Sequence, residues 1–356
     1  MSTKISNNLK EVNMRFSSIA ALSVAVNMLF ISGTAFAKPF EITLQSPYVA
    51  THIISEETIP RYISDVEEAA KGSLKISLLM SNTIVKETDA IIAVRDGGLD
   101  IGGVRINGFH DYLYPYTSNV IAPFYFNDAE HATRTFCNLY EESPKVKGEL
   151  DAIAKVLGVV PSTKTAFFSK NAPVRSPADL KGKRVIIDSP ARASVVQAWG
   201  GIPIEMNSGD FYLGLERGAG DCIWAALTYL SSLKIGEVAK YVVEFPYDYV
   251  FIVLSMNWDL YNDLPEGVRK AFDSITMRGF SMAAAADMVR LYKENLELGK
   301  SQGCQFITLT EEEKAVFMDL AAPAIAEYWD KVHERLHIDS PEKWTAELKR
   351  AAEAAK

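Results

Sequence analysis

The chain has 356 residues, 48% of them hydrophobic and 23% charged, with a formal net charge of −8. An acidic chain without a long basic run is no natural partner for nucleic acid or anionic lipid. Its length exceeds the roughly 250–300 residues that one hydrophobic core serves, so two lobes are expected.

The first element is a leader. Lys4, Lys10 and Arg15 precede an apolar run from Ile19 to Ile31, and Ala35-Phe36-Ala37 forms an A-x-A cleavage site. The run is about 13 residues, short of the ~20 that cross a bilayer. Residues 1–37 therefore read as a signal peptide cleaved after Ala37, with translation starting at Met1 or Met14. The mature chain opens with a strand from Glu41 to Leu44. Ile53 to Gly72 has helical spacing of Ile54, Ile59, Tyr62, Ile63 and Val66, and Leu74 to Met80 alternates as a strand. A helix over Thr88–Gly97 stops at Gly97-Gly98, and a strand over Leu99–Val104 ends in a loop carrying Arg105. This strand–helix rhythm predicts an α/β lobe with a largely parallel sheet.

The rhythm returns further along. Strands are predicted at Thr165–Ser169, Lys183–Asp188 and Cys222–Trp224. Helical segments are predicted at Pro177–Lys181, from Ser189-Pro190 to Trp199, and over Phe211–Arg217. Tyr249–Ser255 reads as a strand, Pro265–Gly279 and Ser281–Gly299 as helices. Thr310 with Glu313 forms a capping box for a helix to about Leu336, and a last helix follows Pro341. The expected division is residues 38–163 with about 250–285 in one lobe, and residues 164–249 with about 286–330 in the other. Residues 331–356 are expected to pack on the body as C-terminal helices.

Cys137, Cys222 and Cys304 permit at most one disulfide, and no C-x-x-C or Cys/His cluster suggests zinc. His333 and His337 share a helix face without an acidic H-E-x-x-H pattern and read as a solvated face. No G-x-S-x-G, phosphate loop or metal spacing is present, so neither enzyme activity nor a cofactor is expected.

Several segments together resemble a known family. They are SPADLKGKRV over residues 176–185, GGIPIEM over 200–206, YLGLERG over 212–218 with Asp221, Glu237–Tyr241, Leu264-Pro265-Glu266, Arg95–Ile101 and Pro123-Phe124. In this order and spacing the chain resembles the DctP-type extracytoplasmic binding subunits of TRAP (tripartite ATP-independent periplasmic) transporters, from about Phe40 to Trp344. The resemblance implies a two-lobed Venus-flytrap α/β protein of the periplasm with crossing hinge strands and a helical C-terminal wrap. Thr165–Ser169 and Tyr249–Ser255 would be those crossing strands. It also implies a monomer that takes a small organic anion, a carboxylate or sulfonate, to small and large membrane subunits. A phosphorylated small alcohol, or a sensing role on a periplasmic receptor domain, is the alternative.

The family places a carboxylate-binding arginine where this chain has Ile186, and an asparagine where it has Ala225. The anion must then be met elsewhere. Arg105, at the C-terminal end of a strand, is one candidate. Arg192, in the first turn of a helix whose free amides favour anions, is another. Asp188 reads first as a helix N-cap and otherwise as a cleft acceptor. Trp224 is expected to wall the pocket or pack in the core. The resemblance places Asn107, His52, Tyr48, Asn207 and Phe168 near pocket positions.

Overall fold

The computed structural model describes residues 38–106, 113–118, 126–188, 190–245, 248–336 and 341–356. Its strands form two mixed sheets. The first, in the order β2-β1-β3-β10-β4, contains β1 (Phe40–Gln45), β2 (Leu74–Leu79), β3 (Ile101–Ile106), β4 (Lys155–Pro161) and β10 (Phe251–Met256). The second, in the order β11-β9-β5-β8-β6-β7, contains β5 (Thr165–Ser169), β6 (Arg184–Ile187), β7 (Ile202–Glu205), β8 (Cys222–Ala226), β9 (Tyr241–Glu244) and β11 (Gln305–Thr308).

The expected parallel rhythm holds within each half: β1 runs parallel to β3, and β6 runs parallel to both β7 and β8. Each sheet is nevertheless mixed. β10 is antiparallel to β3 and β4, and β5 is antiparallel to β8 and β9. The cause is the crossing. A strand that arrives directly from the other sheet enters from the opposite end and must run against its neighbours. β4 leads through residues 162–164 into β5, and β9 leads through residues 245–250 into β10. The two connections are tied to each other: Ser162 N donates to Val250 O at 2.7 Å, Val250 N to Ser162 Oγ at 3.0 Å, and Phe245 N to Thr165 O at 2.9 Å. The strands expected at Thr165–Ser169 and Tyr249–Ser255 each belong to one sheet, and the crossings are the short connections that precede them.

Helices cover the sheets. α1 (Ile59–Ala69) is preceded by a π-turn at Ile54–Thr58, and α2 (Ala90–Arg95) ends at Gly97, whose φ of +78° reverses the chain without a Cβ penalty. α3 (Ala129–Glu142) and α4 (Pro144–Asp151) precede β4; Asp128 caps α3 by accepting from His131 N at 2.7 Å. α5 (Pro190–Ala198) and α6 (Phe211–Glu216) belong to the second half. The helix expected to continue to Gly279 instead divides. α7 (Glu266–Ser274) stops, and Thr276 caps α8 (Met277–Ser301) by accepting from Gly279 N at 3.0 Å. α8 packs on β4 and α3 and also reaches β11, so one helix touches both sheets. α9 (Glu311–Leu336) starts with the expected capping box, Thr310 N to Glu313 Oε2 at 2.8 Å and Glu313 N to Thr310 Oγ1 at 3.2 Å. α10 (Pro341–Ala354) packs on α3, where Ser143 Oγ donates to Glu347 at 2.8 Å and Trp344 is buried.

Cys137, Cys222 and Cys304 are all free and buried. His333 is buried, and burial lowers its pKa, so it does not sit on a solvated face; His337 lies outside the described residues. Among the described residues, no helix is long and apolar enough to cross a membrane.

Candidate functional site

Strand ends bring charge together between the two sheets. Arg105 lies inside β3 and is paired opposite Ile252, not in the loop after the strand, because the apolar run continues through Ile106. Its buried guanidinium meets Asp188, the residue just beyond β6 in the other sheet, with Nη1 to Oδ2 at 3.2 Å. Its Nε lies 2.5 Å from Glu87 Oε1 without an aligned N–H, an ion contact and not a formed hydrogen bond. Arg192, in the first turn of α5, donates from Nη1 to Asp188 Oδ1 at 2.9 Å and from Nη2 to both oxygens of Asp248 at 2.8 and 3.1 Å. Its Nη1 also donates to Trp224 O at 3.3 Å, and its guanidinium carbon lies 5.1 Å from the Trp224 ring centroid.

One carboxylate therefore serves two arginines, one on β3 and one on α5. A guanidinium cannot shed its proton, so each buried arginine requires an anion beside it. Burial raises the Asp248 carboxyl, and the Arg192 guanidinium beside it pulls it back down. Around this core stand Tyr48, Ser162, Thr228, Tyr229 and Val250, enclosing about 20 Å³, room for roughly one water. Burial pushes the phenols of Tyr48 and Tyr229 above their ordinary values against the pull of Arg105, so both remain O–H donors.

His52 stands behind this group. Its ring stacks on Tyr48 with centroids 4.0 Å apart, and Ile54 N donates to its Nδ1 at 3.2 Å. That bond puts the proton on Nε2, which is buried and has no hydrogen-bond partner among the described residues. Burial first, and Arg105 second, lower its pKa to about 3. It is a neutral donor beside a cation.

The structure thus gathers Arg105, Arg192, Asp188, Tyr48 and His52. Both oxygens of the Asp188 carboxylate are taken by these arginines, Oδ2 by Arg105 and Oδ1 by Arg192. Trp224 and Phe168 do not join them at the cavity wall. Trp224 is fully buried with Phe167, Trp199, Phe245 and Phe317, and supports Arg192 from the core side. Phe168, one residue on along β5 from Phe167, faces the opposite core with Phe211 and Ile223. Asn207 is exposed. Asn107 lies outside the described residues.

Ile186 and Ala225 are fully buried in that same core, and Ile186 lies tight against the space a Cβ would take at Gly214 and Gly220. An arginine has no room there. Sequence reasoning missed Glu87, Asp248 and Tyr229. Asp248 carried a signal: it is an acid between Phe245 and Tyr249 on the apolar approach to β10, the same oddity that marked Arg105.

Two mixed sheets joined by a two-stranded ribbon, with buried charges from both halves facing each other at the joint, define a two-lobed binding protein of the periplasmic type. The chain belongs to the bacterial extracellular solute-binding proteins, family 7 (DctP), whose profile it matches over residues 49–332. It is 29% identical over 219 residues to the 2,3-diketo-L-gulonate-binding periplasmic protein YiaO of Escherichia coli, a match spanning 60% of this chain and 66% of that protein. It is 22% identical over 337 residues to the C4-dicarboxylate-binding periplasmic protein DctP of Shewanella loihica, covering 91% of this chain and 94% of that one. The fold matches a TRAP periplasmic solute-binding protein of Desulfovibrio salexigens with a TM-score of 0.75 at 21% identity, over 90% of this chain and 96% of that one. It also matches one of Bordetella bronchiseptica with bound mandelate, with a TM-score of 0.75 at 18% identity, over 89% and 100%.

Proposed function

We propose that this protein captures a small organic carboxylate between its two lobes in the periplasm and hands it unchanged to the membrane subunits of a TRAP transporter. Residues 1–37 would direct its export and be cleaved. The observation that carries the reading is Asp188, a carboxylate from one half held by arginines of both. The arginine fork matches two carboxylate oxygens, so the cradle is shaped for this group. As the side chains stand, about 20 Å³ remains, too little for an organic acid. On this reading the lobes part, the solute anion takes the place of Asp188 on Arg105, and Tyr48, Tyr229 and His52 donate to its remaining oxygens. Membership in a solute-binding family, and matches to relatives named for binding organic acids, support transport over catalysis.

The test is a thermal-shift screen of hydroxy acids, sugar acids, arene carboxylates, sulfonates and phosphate esters. A ligand at 100 times its Kd adds about 2.7 kcal/mol, which shifts the transition visibly. A carboxylate should stabilise the protein, and Arg105→Gln should remove the shift. A shift that survives unchanged in both Arg105→Gln and Arg192→Gln would refute the assignment. So would stabilisation by sulfonates or phosphates alone.

A further inference from the structure

Behind the crossing ribbon lies a second, larger cavity of about 240 Å³. Ser162 and Val250 line the cavity of the arginine cluster, whereas their neighbours Thr163, Lys164 and Tyr249 line this one, so the ribbon separates the two. Tyr249, Met288, Val289 and Tyr292 make an apolar wall. The Tyr292 hydroxyl donates to Glu244 Oε2 at 2.9 Å, which fixes the ring and occupies that carboxylate.

The charges at the mouth are unequal in their commitments. Asp128 is spent as the cap of α3, and Glu130 pairs with Arg134 at 3.5 Å. Lys164, half-buried, lies 5.3 Å from the centroid of the Tyr292 ring, and Lys293 is exposed on α8. Among the described residues neither lysine has a carboxylate within ion-pair distance.

We propose that this cavity is a second ligand site, for a small carboxylic acid with an apolar body. The body lies on Tyr249, Met288, Val289 and Tyr292, and the carboxylate bonds Lys164 and Lys293. The assignment does not depend on which solute occupies the arginine cluster.

Hexanoate is a suitable probe, with 1-hexanol as the neutral control, titrated calorimetrically into the full protein. Hexanoate should bind about tenfold or more tightly than hexanol, the worth of a charge-assisted bond. The double variant Lys164→Gln with Lys293→Gln should lose that advantage, Val289→Trp should abolish binding by filling the space, and Arg105→Gln should leave it unchanged. Equal binding of hexanol, unchanged binding by Val289→Trp, or no binding up to roughly 10 mM would overturn the proposal. Loss in Arg105→Gln alone would assign the probe to the front cavity and likewise overturn it.

Discussion

A ring nitrogen that stays neutral in the folded protein but titrates in the unfolded chain makes stability depend on pH. For His52 the folded pKa is lowered from the ordinary 6.5 to about 3, through burial and the nearby Arg105 charge. The sign follows from proton counts. Below 6.5 the unfolded chain binds a proton at this residue that the folded protein refuses, so stability is complete above 6.5 and falls as pH drops toward 3. At pH 5, about 1.5 pH units below 6.5, the penalty is about 2 kcal/mol at 1.36 kcal/mol per unit. Urea unfolding at pH 7.5 and pH 5.0 measures it, with His52→Asn as the reference. Asparagine can still accept from Ile54 N but does not titrate. The wild type should lose about 2 kcal/mol more than His52→Asn between the two pH values. Equal losses would mean that the ring takes up its proton in place, and the neutral donor assigned to the cleft would be wrong.

Two substitutions test the charge cluster against the core. Asp248→Asn should destabilise by about 3–5 kcal/mol, because Arg192 loses its bidentate partner in a buried setting. Asp188→Asn should cost less, since Asp188 accepts one bond from each arginine whereas Asp248 holds Arg192 with both oxygens; the reverse order in urea unfolding would refute this account of who holds whom. Gly158→Ala, in β4, would drive a methyl group into the Phe280 ring of α8 and should cost about 1–3 kcal/mol in the same assay.

Much of the fold was legible because it is local. The alternation of Leu74, Ile76 and Leu78, the Thr310–Glu313 box and the glycine stop at Gly97 each mark an element from a few neighbouring residues. What escaped notice had no such mark. β4 (KVLGVVP) is buried from Val156 to Pro161, so its apolar run lacks alternation and cannot be told from a helix segment by spacing. β7, β9 and β11 have four residues each, and β11 exists because it pairs beside β9, more than 60 positions away. The mixed character of both sheets was hidden for the same reason. Strand direction at the crossing follows from which sheet the chain has just left.

The site divides along the same line, and the division explains what was read correctly. Arg105 and Arg192 could be picked out because a basic residue among Gly, Val and Ile, or beside free helix amides, is costly unless something answers it. Of their answers, Asp188 stands four positions before Arg192 and shares a window with it. It lies 83 positions from Arg105, and Asp248 lies 56 from Arg192, so no window of sequence contains those two pairs. Trp224 shows how adjacency misleads. It precedes the strand end that feeds Thr228 and Tyr229 into the cleft, yet it faces away and meets the site only through the back of Arg192. In a buried cleft the useful sequence signal is therefore the uncompensated charge. Two such cations, one on a strand of the first half and one on a helix of the second, imply at least one anion between them, supplied here by Asp188 and, on the reading proposed above, by the solute when it binds.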